Sequence, residues 1–138
     1  MGKSHLAQAI GLQLIKQGKS VLYRSILDTV AELMDDAIPE THQRTMARYL
    51  KCDLLIIDDM GIKVLPPRSG EYLFDIIMRR HQIRSTIMTS NRPLEEWGKL
   101  IGDVPAASAI LGRFLYHAHL VKISGKSYRM KERLSKES

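Results

Sequence analysis

Near its start the 138-residue chain carries Gly2-Lys3-Ser4, the closing residues of the pattern G-x-x-x-x-G-K-[ST]. In that pattern backbone N–H groups and a helix N-terminus wrap a phosphate chain, the lysine reaches its β and γ oxygens, and the hydroxyl holds magnesium. Only the second half of the pattern stands here, so the expectation is a phosphate loop without its first half. Three residues alone are a weak signal. Their weight comes from position: a helix begins at Ser4, and about fifty residues later an apolar run ends in Asp58-Asp59, the order the chemistry requires. Magnesium between two phosphates needs a hard oxygen ligand, which Asp58 would supply. Asp59 would then take a proton from the attacking water. The bland alternative for the pair is a solvated strand end.

Asn91 follows one strand later, where its amide could orient water against the γ-phosphate; alone, it would read as a turn former near Pro93. Arg113, between Gly112 and Phe114, stands off the apolar face of its helix. It is either an ordinary exposed arginine or an arginine finger presented to a neighbouring subunit's phosphate. His5 lines the first helical turn beside Lys3 and Ser4. His117 and His119 have no third ligand at metal spacing and read as packing or surface residues. Trp97 reads as a cap over the core, since one aromatic makes no stacking platform.

These residues need elements to position them. Leu6, Ile10 and Leu14, four apart and widened by Ala7 and Ile15, predict an amphipathic helix over 4–17 that stops at Gly18. Residues 20–24 are short and β-prone, and Ser25 opens a helix carrying Ile26, Val30 and Leu33. Residues 35–41, with Pro39, read as a loop before a helix ending near Leu50. Leu54-Leu55-Ile56-Ile57 is a strand buried on both faces. A loop over 60–70 precedes a helix over 71–82 with Leu73, Ile76 and Ile77 on one face, and residues 85–89 form a strand that stops at Asn91. Pro105 opens a last helix with Ala107, Ile110, Leu111, Phe114 and Leu115, followed by a strand over 119–123. Alternating strands and helices predict a mostly parallel sheet covered on both faces, with ligands beyond the strands' carboxyl ends. Asp58, Asp59 and Asn91 all fall there.

Composition sets the frame. With 44% apolar and 26% charged residues, the chain is expected to fold as one domain over residues 1–130, with residues 131–138 a charged tail. Twenty-one Lys and Arg against fifteen Asp and Glu leave +6, which favours an anionic partner such as nucleic acid or nucleotide phosphate. The lone Cys52 excludes an internal disulfide framework and reads as a small buried thiol in a reducing compartment. No apolar run reaches the length of a membrane span and no signal peptide opens the chain, so the expected location is cytoplasmic.

Taken together, the stretches 2–7, 53–61, 85–91 and 96–98, with Leu111 to His119 and Gly125 to Arg129, resemble the IstB-like ATP-binding proteins over residues 2 to about 129. The resemblance implies a P-loop NTPase of the AAA+ type, three-layer αβα, related to DnaC-type helicase loaders and DnaA-type initiators. It implies an ATPase that uses ATP and Mg²⁺, assembles on DNA as a homo-oligomer and assists a partner transposase. Lys3 and Ser4 match the Walker A lysine and serine, and Asp58 and Asp59 the Walker B acids. Asn91 matches the sensor-1 residue and Arg113 the arginine finger; Arg129 matches a position to which no role is given. Family members carry a strand and the full glycine-rich loop ahead of Gly2, so the first strand is also expected to be absent here. Asp59 stands where Glu is common. The readings carried forward are a transposition helper, a helicase loader, and a non-catalytic remnant acting as an interaction module. A P-loop small-molecule kinase is disfavoured by Asn91, Arg113 and the lack of a lid.

Overall fold

A computed structural model describes residues 2–35, 38–61 and 63–101, together with residues 105, 108, 109 and 112. The elements run α1 (Gly2–Lys16), β1 (Val21–Ser25), α2 (Ile26–Leu33), α3 (Pro39–Lys51), β2 (Leu54–Met60), α4 (Ser69–Arg80), β3 (Ser85–Ser90), a 3₁₀ turn (Leu94–Glu96) and α5 (Trp97–Ile101). The three strands form a parallel sheet in the order β1-β2-β3. Pro105, Ser108, Ala109 and Gly112 are helical. The strand expected over 119–123, the charged tail, and the positions of Arg113, His117, His119 and Arg129 lie outside the described residues.

β2 shows why the sheet is covered on both sides. Successive side chains of a strand point to opposite faces, and both sets here are apolar. Leu54 and Ile56 pack with Ala7 of α1, flanked by Val21, Tyr23, Leu14 and Ile87. Leu55 and Ile57 pack on the other face with Ile26, Val30 and Leu33 of α2 and Leu73, Ile76 and Ile77 of α4. The result is the expected αβα sandwich. Ser25 ends β1 and caps α2, its hydroxyl accepting the Asp28 N–H at 3.1 Å. Cys52 is buried, as expected.

Three expectations shift. α3 begins at Pro39, inside the expected loop, because proline's fixed φ and missing N–H suit the first helical turn. α4 runs from Ser69 to Arg80, two residues earlier than read at each end. The apolar stripe of α1 is buried only in part: Ala7 is buried and Leu14 packs against the sheet, but Leu6, Ile10 and Ile15 are exposed, and Gly11 is buried where no apolar side chain was expected. A Cβ on Gly11 would stand 3.2 Å from Ile56 Cδ1 and 3.3 Å from Val21 Cγ1. Small residues at Ala7 and Gly11 let this helix lie close on the sheet there, which leaves no room for a larger side chain at Gly11.

Arg80 closes the far end of the sandwich at 1% exposure. Its guanidinium donates to the carbonyls of Tyr49 and Cys52, each at 2.8 Å, to the Ser85 carbonyl at 2.6 Å and to Thr86 Oγ1 at 3.0 Å. The last carbonyls of a helix have no partner within it. Arg80 supplies one at the end of α3 while tying β3 to α4.

Candidate functional site

The period of two that packs Leu54 and Ile56 against α1 carries Asp58 to the same face. On β1 the same phase runs through Val21 and Tyr23, and on β3 through Ile87 and Thr89. Three polar side chains therefore meet under the first turn of α1. Asp58 is 2% exposed. The Ser4 hydroxyl donates to its carboxylate, 2.8 Å from one oxygen and 3.0 Å from the other. The hydroxyls of Tyr23 and Thr89 donate to the same carboxylate.

The sheet is irregular at this point. Ile57 is in register with Met88 and Met60 with Ser90, so Asp58 and Asp59 together face only Thr89. Such a bulge re-aims side chains at a strand end. Asp59 takes a left-handed backbone, φ 65°, uncommon for a residue with a Cβ. Its N–H donates to Thr89 Oγ1 at 3.1 Å.

The two acids are driven apart electrostatically. Burial pushes the Asp58 carboxyl up, but the hydrogen bonds from Thr89, Tyr23, Ser4 and the Asp59 N–H outweigh it, and the net shift is below the ordinary carboxylate value. Asp59 is raised, by burial first and by the Asp58 charge second. Tyr23 is raised by its hydrogen bond to Asp58 and then by burial, so it stays a donor. A carboxylate kept ionised beside one of greater basicity is the pairing expected of a cation ligand and a general base.

Lys3 Nζ donates to the carbonyl of Ser90, the last residue of β3, at 2.6 Å. The next N–H, that of Asn91, donates to the Met60 carbonyl at 3.3 Å. Lys3, Ser4, Asp58, Asp59 and the Asn91 backbone thus lie at one end of the sheet, while Gly2 and His5 are exposed on the first turn of α1. The Asn91 side chain is exposed. Trp97 is buried and donates through Nε1 to Ser90 Oγ at 3.3 Å, in keeping with a core cap. Tyr23 and Thr89 were not singled out from sequence. The signal was there in the strand phase, since each stands two residues after an apolar residue facing α1, as Asp58 does.

The donor set can be tested against the groups the motif implies. α1 is fifteen residues long with no acid in its first turn, and its N-terminus carries Lys3, an arrangement suited to phosphate. Among the described residues no group of three or more His, Cys, Asp or Glu could hold a metal ion. Ser4 and Asp58 offer two hard oxygen donors. That fits magnesium arriving with phosphates, which normally supply part of its coordination along with water.

Comparison with known proteins agrees. The model of the IstB-like ATP binding protein family matches residues 1–136. The chain is 36% identical over 137 residues to the protein named for ATP binding in insertion sequence IS5376 of Geobacillus stearothermophilus, covering 99% of this chain and 55% of that one. It is also 36% identical over 138 residues to the corresponding protein of insertion sequence IS232 of Bacillus thuringiensis subsp. berliner, covering 100% and 55%. The chain thus spans about half the length of the curated relatives it matches. Among solved structures, AMPPCP-bound DnaA from Aquifex aeolicus shares the fold, with a TM-score of 0.76 at 24% identity over 98% of this chain and 42% of that one. The fold is that of the AAA+ P-loop ATPases.

Proposed function

Because the chain belongs to the IstB-like ATP-binding protein family, we propose that it is the ATP-handling part of a helper ATPase of DNA transposition, acting in the cytoplasm. The observation that carries this reading is the meeting of the Ser4 hydroxyl and the Asp58 carboxylate at 2.8 Å under the N-terminus of α1. In the proposed cycle Lys3 leaves the Ser90 carbonyl for the β and γ oxygens of ATP, with Gly2 and His5 beside it. Ser4 and Asp58 hold Mg²⁺, which when bound neutralises charge on the phosphates. Asp59, the more basic acid, takes the proton of the attacking water, and Asn91 orients that water. Arg113 of an adjacent subunit in a homo-oligomer completes the site, a contribution of ~10³- to 10⁵-fold in rate where such arginines are known.

DNA and a transposase are the proposed partners. The +6 charge supports phosphate contacts without base readout, so binding should weaken steeply as salt rises. Tight, salt-insensitive binding to one sequence would contradict that. Co-purification from cells expressing a candidate transposase together with the replicative helicase tests the partner. Recovery of the replicative helicase alone would replace transposition by helicase loading. Association with transposase in a protein that binds no ATP would leave only an interaction module.

A further inference from the structure

We propose that Thr89 is a positioning residue that sets the geometry of both acids at the end of β2 through a single hydroxyl; the inference rests on the ATPase reading above. A threonine hydroxyl has one proton to give and two lone pairs to receive. Here the proton goes to the Asp58 carboxylate and a lone pair receives the Asp59 N–H at 3.1 Å. The two bonds fix each other. Turning the proton elsewhere would take a donor from Asp58 and change the acceptor that Asp59 meets.

Thr89 stands where only one residue of β3 faces two of β2. In a regular strand Asp59 would follow Asp58 onto the opposite face of the sheet. The bulge and the left-handed backbone of Asp59, φ 65°, change its direction, and the Asp59 N–H finds the Thr89 side chain. At 9% exposure Thr89 has little access to water, so water would be a poor substitute for either bond. The Asp59 backbone and the Asp58 carboxylate are therefore oriented by one side chain on β3, two residues before Asn91. Groups that orient a cation ligand govern metal affinity and activity without touching the metal.

The test uses a chain that carries the G-x-x-x-x half-loop and its strand ahead of Gly2, and compares it with the same chain bearing Thr89→Val, which keeps the shape and removes the hydroxyl, or Thr89→Ser, which restores it. Thr89→Ala covers the case in which valine does not fold. Three quantities are read: Mn²⁺ affinity in the presence of AMPPCP by electron paramagnetic resonance, AMPPCP affinity in EDTA, and kcat and KM for ATP. The hydroxyl-free variants should lose about tenfold or more in Mn²⁺ affinity and kcat, with metal-free AMPPCP affinity and KM nearly unchanged, and Thr89→Ser should recover both losses. Amide exchange at Asp59 should quicken in Thr89→Val and not in Thr89→Ser. Wild-type behaviour of Thr89→Val, or a Thr89→Ser as impaired as Thr89→Val, would overturn the inference while leaving the ATPase reading intact. If the unsubstituted chain with G-x-x-x-x ahead of Gly2 binds no AMPPCP, both are overturned.

Discussion

The hydroxyl of Ser4 and the carboxylate of Asp58 lie 2.8 Å apart across a separation of 54 residues. The contact joins the first turn of α1 to the C-terminal end of β2, and either partner can be removed without emptying the core. In a chain that carries the G-x-x-x-x half-loop ahead of Gly2, Ser4→Ala and Asp58→Asn should each weaken Mg²⁺-dependent ATP binding by about ten- to a hundredfold, as loss of one metal-site group usually does. Binding measured in EDTA should change far less. Titration calorimetry with and without Mg²⁺ separates the two. Equal losses in both conditions would place Ser4 and Asp58 in general phosphate binding instead.

The shifts at Asp58 and Asp59 have opposite consequences for stability. Asp58 has a folded-state pKa below its ordinary 3.8, so it contributes stability above that value and loses it as pH falls through the lowered pKa. Asp59 is raised above 3.8, so its ionised form opposes folding at neutral pH, and the penalty is relieved as pH falls through the raised pKa. Asp58→Asn should therefore lower the melting temperature at pH 7, with the gap to wild type narrowing as pH falls below 3.8. Asp59→Asn should raise the melting temperature at pH 7, the gain fading toward acid. A pH-independent effect of either substitution would show that packing, not charge, controls it.

How much of this could be read beforehand depended on which force set each feature. β2, β3 and the Ser25 cap were legible because apolar runs and capping hydroxyls act locally. The two acids and Asn91 were legible because they sit where those runs end. α1 misled in part, since its periodic apolar residues suggest one buried stripe. Ala7 and Leu14 of that stripe do pack on the sheet, while close approach at Gly11 leaves Leu6, Ile10 and Ile15 exposed. Thr89 escaped notice because its role arises from a two-against-one register that strand propensity does not encode.

Arg80 was equally silent, because an arginine near a helix end ordinarily reads as solvated. Buried and bonded to the carbonyls of Tyr49, Cys52 and Ser85, it holds the end of the molecule opposite the acids. Arg80→Met fills much of the volume but leaves those carbonyls without the donor. The bonds to Tyr49 and Cys52 are buried and that to Ser85 only partly so; each buried group so orphaned costs about 1–3 kcal/mol, so a loss of roughly 2 kcal/mol or more is expected. Urea denaturation reads it as a lowered midpoint. A midpoint within error of wild type would mean that water or a rearranged side chain replaces the guanidinium.

The remaining prediction concerns how much of the phosphate site residues 1–138 supply by themselves. A phosphate loop binds chiefly through a concave run of backbone N–H groups, aided by the helix N-terminus and the lysine. Gly2, Lys3 and Ser4 provide the helix end, the cation and the hydroxyl, with Lys3 resting on the Ser90 carbonyl at 2.6 Å. The G-x-x-x-x half of the pattern would provide most of the N–H groups. Without them the phosphates must draw Lys3 off its carbonyl with little in return from the backbone. Residues 1–138 should therefore bind ATP-Mg²⁺ weakly and release phosphate negligibly, whereas a chain carrying G-x-x-x-x ahead of Gly2, with the strand that leads into it, should do both. Calorimetric titration and phosphate release on the two chains make the comparison, with Lys3→Ala in the longer one as control. Tight ATP binding by residues 1–138 would overturn the prediction, because it would show that the helix end, Lys3, Ser4 and Asp58 suffice without the loop.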